Sequence, residues 1–171
     1  MPLTDQTLTD QTLTDQEVHD LVVNWTSRLV LFARRWTNCP EDAVQQAFCN
    51  LCALQFRPDD AVAWMFKATR NTAISIRRAE MMRTKRENST AVTNWFEPDT
   101  ENRLDGETVT EKLKELPPEL GEVVIARIWG GLTFEQIAAA TGCSKTTAHR
   151  LYNEAVAALQ KRLKVNETFD E

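Results

Sequence analysis

The stretch GLTFEQIAAATGCSKTTAHRLY, residues 131–152, constrains the fold more than any other part of the chain. Apolar residues recur at helical spacing on both sides of a glycine, so the segment reads as two short helices joined at Gly142. Ala138 lies four residues before that glycine, where a tight crossing needs a small side chain. Glycine itself tolerates the positive φ of the turn. Ile137, Cys143, Ala148 and Leu151 are the expected contacts between the two helices. Ser144 is placed to cap the second helix, with Thr147 in its first turn. Lys145, Thr146, His149, Arg150 and Asn153 are then left facing outward. That is the arrangement of a helix-turn-helix, whose second helix suits the major groove of duplex DNA.

The rest of the chain must supply a core for this unit, and it too is patterned for helices. Thr14 and Glu17 have capping-box spacing, and Val18, Leu21, Val22, Trp25, Leu29, Phe32 and Trp36 follow at intervals of three and four. A second helix begins at Pro40, where proline loses no hydrogen bond and Glu41 and Asp42 face the positive end of the dipole. Val44, Ala47, Phe48 and Leu51 form its expected buried side. Asp42, Gln46, Cys49 and Asn50 lie opposite, with Gln45 on the flank. The loop QFRPDD, residues 55–60, interrupts the helices, and a third runs from about Ala61 to near Arg86. Its core side is Val62, Met65, Phe66, Thr69, Ala73 and Ile76.

These patterns predict an all-α chain of two small helical domains joined by a flexible linker. The expected divisions are a disordered repeat tail at 1–13, a first domain at 14–87, the linker at 88–110, a helix-turn-helix domain at 111–164 and an acidic tail at 165–171. The opening LTDQTLTDQTLTDQ repeats every five residues, a period matching neither helix nor strand. Residues 88–110 carry Pro98 and Gly106 and no sustained periodicity.

A net charge of −5 at first argues against a partner that is itself a polyanion, but the charge is unevenly placed. Residues 21–87 hold eleven bases against six acids, and 111–164 hold eight against six. The acidity therefore belongs to the tails and linker, and both folded parts are mildly positive. No apolar run is long enough to span a bilayer, and the N-terminus lacks the order of a signal peptide, so a cytoplasmic protein without membrane attachment is expected. Four cysteines in that compartment are not expected to form disulfides. Cys49 and Cys52 make one C-x-x-C, but it lies within a helix without a second pair, which favours ordinary packed or half-exposed thiols over a metal site.

The third helix offers a second candidate nucleic-acid surface. Lys67, Arg70, Asn71, Ile74 and Arg78 share the side away from the core, with Trp64 at one margin and Arg77 at the other. Phe56 and Arg57 stand in the preceding loop. Basic groups can track a phosphate backbone while an aromatic stacks on an unpaired base and an amide meets its edge. The periodicity equally allows Trp64 to belong to the core and the arginines merely to solvate the helix.

Taken in order, PEDAVQQAF (40–48), AWMFKATRNTAISIRR (63–78) and residues 113–163 resemble a bacterial RNA polymerase sigma factor of the extracytoplasmic-function type, with its regions 2 and 4. The resemblance covers most of the chain. It implies that Asp42, Gln45, Gln46 and Asn50 face the β′ coiled coil of RNA polymerase core. It further implies that Phe56, Arg57, Trp64, Lys67, Arg70, Asn71, Arg77 and Arg78 engage the melted minus-10 strand. Ser144, Lys145, Thr146, Thr147, His149, Arg150 and Asn153 would meet the minus-35 duplex, and the same domain would touch the β flap. An anti-sigma factor is a further partner the family admits. No cofactor or metal is implied, and no catalysis, since phosphoryl transfer is the polymerase's chemistry. Leu151, Glu154 and Val156 stand where the family often has arginine, which implies weaker phosphate contact.

The 23 linker residues can extend to roughly 75 Å, enough for two domains to sit on promoter elements two duplex turns, about 70 Å, apart. Joint binding of polymerase and DNA would then convert weak contacts into linked ones. Two other readings use the same residues: a free-standing helix-turn-helix regulator dimerised by its N-terminal helices, and a decoy that occupies polymerase without starting transcription. No enzyme reading has support, because neither domain carries a nucleophile–base pair or a phosphate-cradling loop beyond the glycines at 130 and 131.

Overall fold

The computed structural model describes residues 12–87 and 113–167, and these contain helices and turns but no strand. Nearly all of the expected repeat tail, the expected linker and the last four residues lie outside the described residues. In chain order the helices are α1 (Asp15–Ala33), α2 (Pro40–Cys52), α3 (Ala61–Glu87), α4 (Pro118–Ile128), α5 (Phe134–Thr141) and α6 (Lys145–Glu167). α6 thus continues past residue 164, into the expected acidic tail.

Local chemistry sets each start. At α1 the Thr14 hydroxyl accepts from the Glu17 N–H at 3.3 Å, and the Glu17 carboxylate accepts from the Thr14 N–H at 2.9 Å, a complete capping box. α2 opens on Pro40 with Glu41 and Asp42 in its first turn. Asp60 caps α3 by accepting the Ala63 N–H at 2.8 Å. Thr133 and Gln136 make a second capping box at α5, which ends on Gly142 at φ 76°. The Ser144 hydroxyl accepts the Thr147 N–H at 3.1 Å and so opens α6.

Helices α1, α2 and α3 enclose Leu29, Phe32, Ala43, Val44, Ala47, Met65, Phe66 and Ala73, all 2 % exposed or less. Phe32 and Phe66 meet edge to face at 4.9 Å, and Trp25 adds its ring to Phe66 at 6.3 Å. Helices α4, α5 and α6 gather around Val123, Ile125, Ile137, Ala148 and Ala155, each fully buried. The buried residues of both halves form a single continuous cluster.

Several side chains depart from their expected places. α1 ends at Ala33 rather than continuing to Trp36, because the chain turns through Arg34 and Arg35. Val22 is 40 % exposed, since the stripe of α1 is narrower than its spacing suggested. Phe48, Cys143 and Leu151 are half-buried at the margins of the core. Cys49 and Cys52 are exposed on the outer side of α2 rather than packed.

Candidate nucleic-acid interface

The turn between α5 and α6 is built by the groups the sequence singled out. The amides of Gly142 and Cys143 both donate to the Ala138 carbonyl, at 2.9 and 3.2 Å, a closure that the left-handed φ at Gly142 makes possible. Ile137 and Ala148 are fully buried between the two helices. Phe134 sets their crossing: its ring meets His149 at 4.9 Å and Tyr152 at 5.6 Å, while the Arg127 guanidinium of α4 stacks over it at 5.0 Å.

Along α6, Ser144, Lys145, Thr146, His149, Arg150 and Asn153 are exposed and Thr147 is half-buried. Lys145 pairs with Glu135, and Arg150 pairs with Glu154 at 3.2 Å. The Asn153 amide lies 3.2 Å from His149 Nδ1. The cations are therefore tethered by exposed carboxylates, contacts weak enough to exchange for phosphate. Glu135 in turn is held below the usual carboxylate range by the Lys145 ammonium.

The α2 ridge is also open to solvent. Asp42, Gln45, Gln46 and Asn50 are all exposed, and the Gln46 side-chain amide donates to Asn50 Oδ1 at 3.0 Å. The side chains of Ala43, Val44 and Ala47 anchor the opposite side in the core, so the ridge is polar on a rigid support.

The third candidate group is divided by the structure. Lys67, Asn71, Arg77 and Arg78 are exposed on α3, and Phe56 is 57 % exposed in the loop. Arg57 forms a fork to the Glu17 carboxylate at 2.5 and 3.0 Å, which together with the Thr14 bonds holds the Glu17 pKa down to about 2. Trp64 is half-buried and packs against the core.

Arg70 departs furthest from its expected place on the solvent side. It turns inward to Glu122 of α4, with Nε donating at 2.7 Å and Nη2 at 3.2 Å. The physical reason is the carboxylate it meets: Glu122 is only 2 % exposed and needs donors. Trp36 supplies a third, its indole N–H donating to Glu122 at 2.8 Å while the Arg70 guanidinium lies 4.9 Å over the Trp36 ring.

This triad belongs to a wider seam that the sequence did not disclose. Arg35 donates to the carbonyls of Leu113 and Leu116 at 2.9 and 2.5 Å. Asp60, besides capping α3, accepts from the Gln136 amide of α5. Burial pushes the Glu122 carboxyl above its usual range, with the Arg70 and Trp36 bonds opposing that rise only in part. Burial likewise lowers the Arg35 guanidinium, with the charges of Glu122 and Glu119 opposing that fall only in part. Two glycines allow the halves to close so tightly. A Cβ at Gly121 would fall 2.5 Å from Arg35 Nε, and one at Gly130 would fall 2.8 Å from the Phe66 ring. One signal for the seam was present: Glu122 is the lone charge in LGEVVIA, residues 120–126, all of which are buried.

Among the described residues no group of three or more His, Cys, Asp or Glu side chains is arranged to hold a metal ion. No described helix is long and apolar enough to cross a membrane.

Residues 107–159, which include the whole α4–α5–turn and the first part of α6, match the family model for Sigma-70, region 4. No curated protein sequence matches the chain. Among solved structures, the chain is similar to the sigma factor RpoE of Bartonella quintana, solved with the anti-sigma factor NepR, at 23% identity and a TM-score of 0.70. That match covers 89% of this chain and 99% of the other. Residues 107–159 are thus similar to sigma-70 region 4, and the chain as a whole shares the fold of that sigma factor.

Proposed function

We propose that this protein binds RNA polymerase core and directs it to a particular set of promoters, as an extracytoplasmic-function sigma factor. The observation that carries the reading is the exposed row of Lys145, Thr146, His149, Arg150 and Asn153 on the second helix of a helix-turn-helix within the region 4 match. A helix so placed presents its N-terminal residues to base edges and phosphates. In this role α6 takes the minus-35 duplex. Phe56, Arg57, Trp64, Lys67, Arg70, Asn71, Arg77 and Arg78 serve the minus-10 strand. The polar ridge of Asp42, Gln45, Gln46 and Asn50 docks on the β′ coiled coil, and the C-terminal domain touches the β flap.

The chain supplies recognition and positioning rather than a reaction, and works among the cytoplasmic transcription machinery. An anti-sigma factor is a fitting further partner, because the structurally similar RpoE was solved with one.

Run-off transcription with purified core across a library of genomic fragments tests this reading. Specific transcripts that depend on the protein are expected. A chain that forms no complex with core and instead binds palindromic DNA as a dimer would replace the reading with that of a free-standing regulator. Core binding without reactivity of thymines to permanganate in an opened bubble would make the protein a decoy.

A further inference from the structure

We infer that Cys49 and Cys52 form a reversible redox site beside the docking ridge of α2, joined as a disulfide by exchange with a low-molecular-weight disulfide such as oxidised glutathione. The disulfide stands on the geometry of α2 alone, whereas its consequence for polymerase rests on the sigma-factor reading.

Both thiols are exposed on the outer side of α2, three residues apart, whereas Cys39 and Cys143 are half-buried. Those two also have partners: Cys39 Sγ donates to Glu80 at 3.3 Å, and Cys143 Sγ lies 3.2 Å from the Thr141 hydroxyl. Exchange needs an accessible thiolate with a second thiol in reach, and the α2 pair offers both. A structural zinc site would take about four ligands, and among the described residues no third His, Cys, Asp or Glu side chain joins the pair. Cys52 also lines a cleft with Val18 of α1 and Phe56 of the loop, which gives an incoming molecule room beside it.

The helix sets the character of the bond. Side chains three apart on a helix have Cβ atoms about 5–6 Å apart, and a disulfide needs about 3.5–4.5 Å. Closure must therefore draw in the end of α2, of which Cys52 is the last residue. The hydrogen bond at stake runs from the Ala53 N–H to the Cys49 carbonyl, at 3.1 Å. A disulfide closed against that turn is readily reduced, a property of regulatory rather than structural bridges. Asn50 lies between the two cysteines and accepts from Gln46, so the same distortion reaches the ridge.

In the first step one cysteine thiolate attacks oxidised glutathione and releases a glutathione thiolate. The other cysteine then attacks the protein sulfur of that mixed disulfide and releases the second. The pair loses two electrons to the oxidant, and the two cysteine protons end on the two glutathione thiols.

The full-length protein, reduced or treated with oxidised glutathione, is read by mass spectrometry, by amide hydrogen exchange at Ala53 and by titration with purified polymerase core. The treated parent is expected to carry a Cys49–Cys52 bridge and no glutathione on α2, to exchange faster at Ala53, and to bind core about tenfold more weakly. Dithiothreitol should reverse all three changes. Cys49→Ser and Cys52→Ser should each retain one glutathione, trapped on the remaining α2 sulfur. A parent that keeps glutathione on α2, or bridges to a second chain there, overturns the disulfide. One that closes the bridge with unchanged core affinity overturns the regulation. A reduced parent unable to associate with core would count against the sigma-factor reading, while the mass and exchange measurements would still decide the disulfide.

Discussion

Replacing Arg70 with methionine keeps an unbranched stem against the Trp36 ring but removes the charge facing Glu122. The side chains of the pair are 17% and 3% exposed, so solvent screens this interaction little. Breaking a buried pair from one side costs about 3–5 kcal/mol, mostly because the remaining charge is stranded. Two features of the site reduce that figure. The Trp36 indole still donates to the carboxylate, and the carboxyl, already raised by burial, can take up a proton instead of remaining charged. A loss of about 2–3 kcal/mol at pH 7 is therefore expected. In urea, with a slope of about 2 kcal/mol per molar, the unfolding midpoint would fall by roughly 1–1.5 M.

The sign of the pH dependence follows from the direction of the shift. A carboxyl whose folded pKa lies above its unfolded value favours the folded state fully at pH below 4.5, and that contribution is lost as pH rises through the folded value. Losing Arg70 raises the folded value further, so the penalty of Arg70→Met should shrink as pH is lowered from 7 toward 5. The loss also has a ceiling. Once it exceeds the free energy holding the halves together, they part and Glu122 regains water, which scattering would register as expansion. An unmoved midpoint with unchanged scattering would refute the reasoning, and so would a penalty that grows toward low pH.

Arg57→Ala should return the Glu17 titration from about 2 toward the ordinary carboxylate range, measured by NMR. In the parent, this ion pair contributes above pH 4.5 and fades as pH falls toward 2. Removing the cap with Thr14→Ala should cost about 1 kcal/mol in chemical denaturation. Substituting Lys145 and Arg150 by alanine should weaken duplex promoter binding and lower its salt slope by about one unit for each phosphate left without its cation; an unchanged slope would make those cations structural. Alanine at Asp42 and Gln45 should weaken association with polymerase core while leaving helical circular dichroism intact, and unaltered affinity in a titration would remove the ridge from that interface.

How far the fold could be read in advance depended on whether its causes were local. The capping box at Thr14, the proline start at Pro40 and the turn at Gly142 each lie within a few residues of their partners, and the chain displays them where spacing placed them. The same holds for the outward row of α6, because a helix entered at Ser144 with Ala148 inward leaves Lys145 and His149 little choice of side. The orientation of Arg70 was another matter. Its periodicity assigns it to the side of Lys67, but a flexible stem lets the guanidinium reach a carboxylate 52 positions later. Glu122 was conspicuous as a charge among apolar neighbours, yet nothing in the spacing of either helix pairs it with Arg70 or Trp36. The glycines at 121 and 130 likewise acquire their meaning only from Arg35 and Phe66 across the seam.

Phe66 has zero exposure, yet its rim is covered by the backbone at Gly130 rather than wholly by its own half. Severing the protein between residues 88 and 112 would therefore not yield two finished globules. The N-terminal fragment would present a wetted aromatic edge beside a newly bare indole at Trp36, and stickiness of that fragment in solution would report how much of its interior had been borrowed.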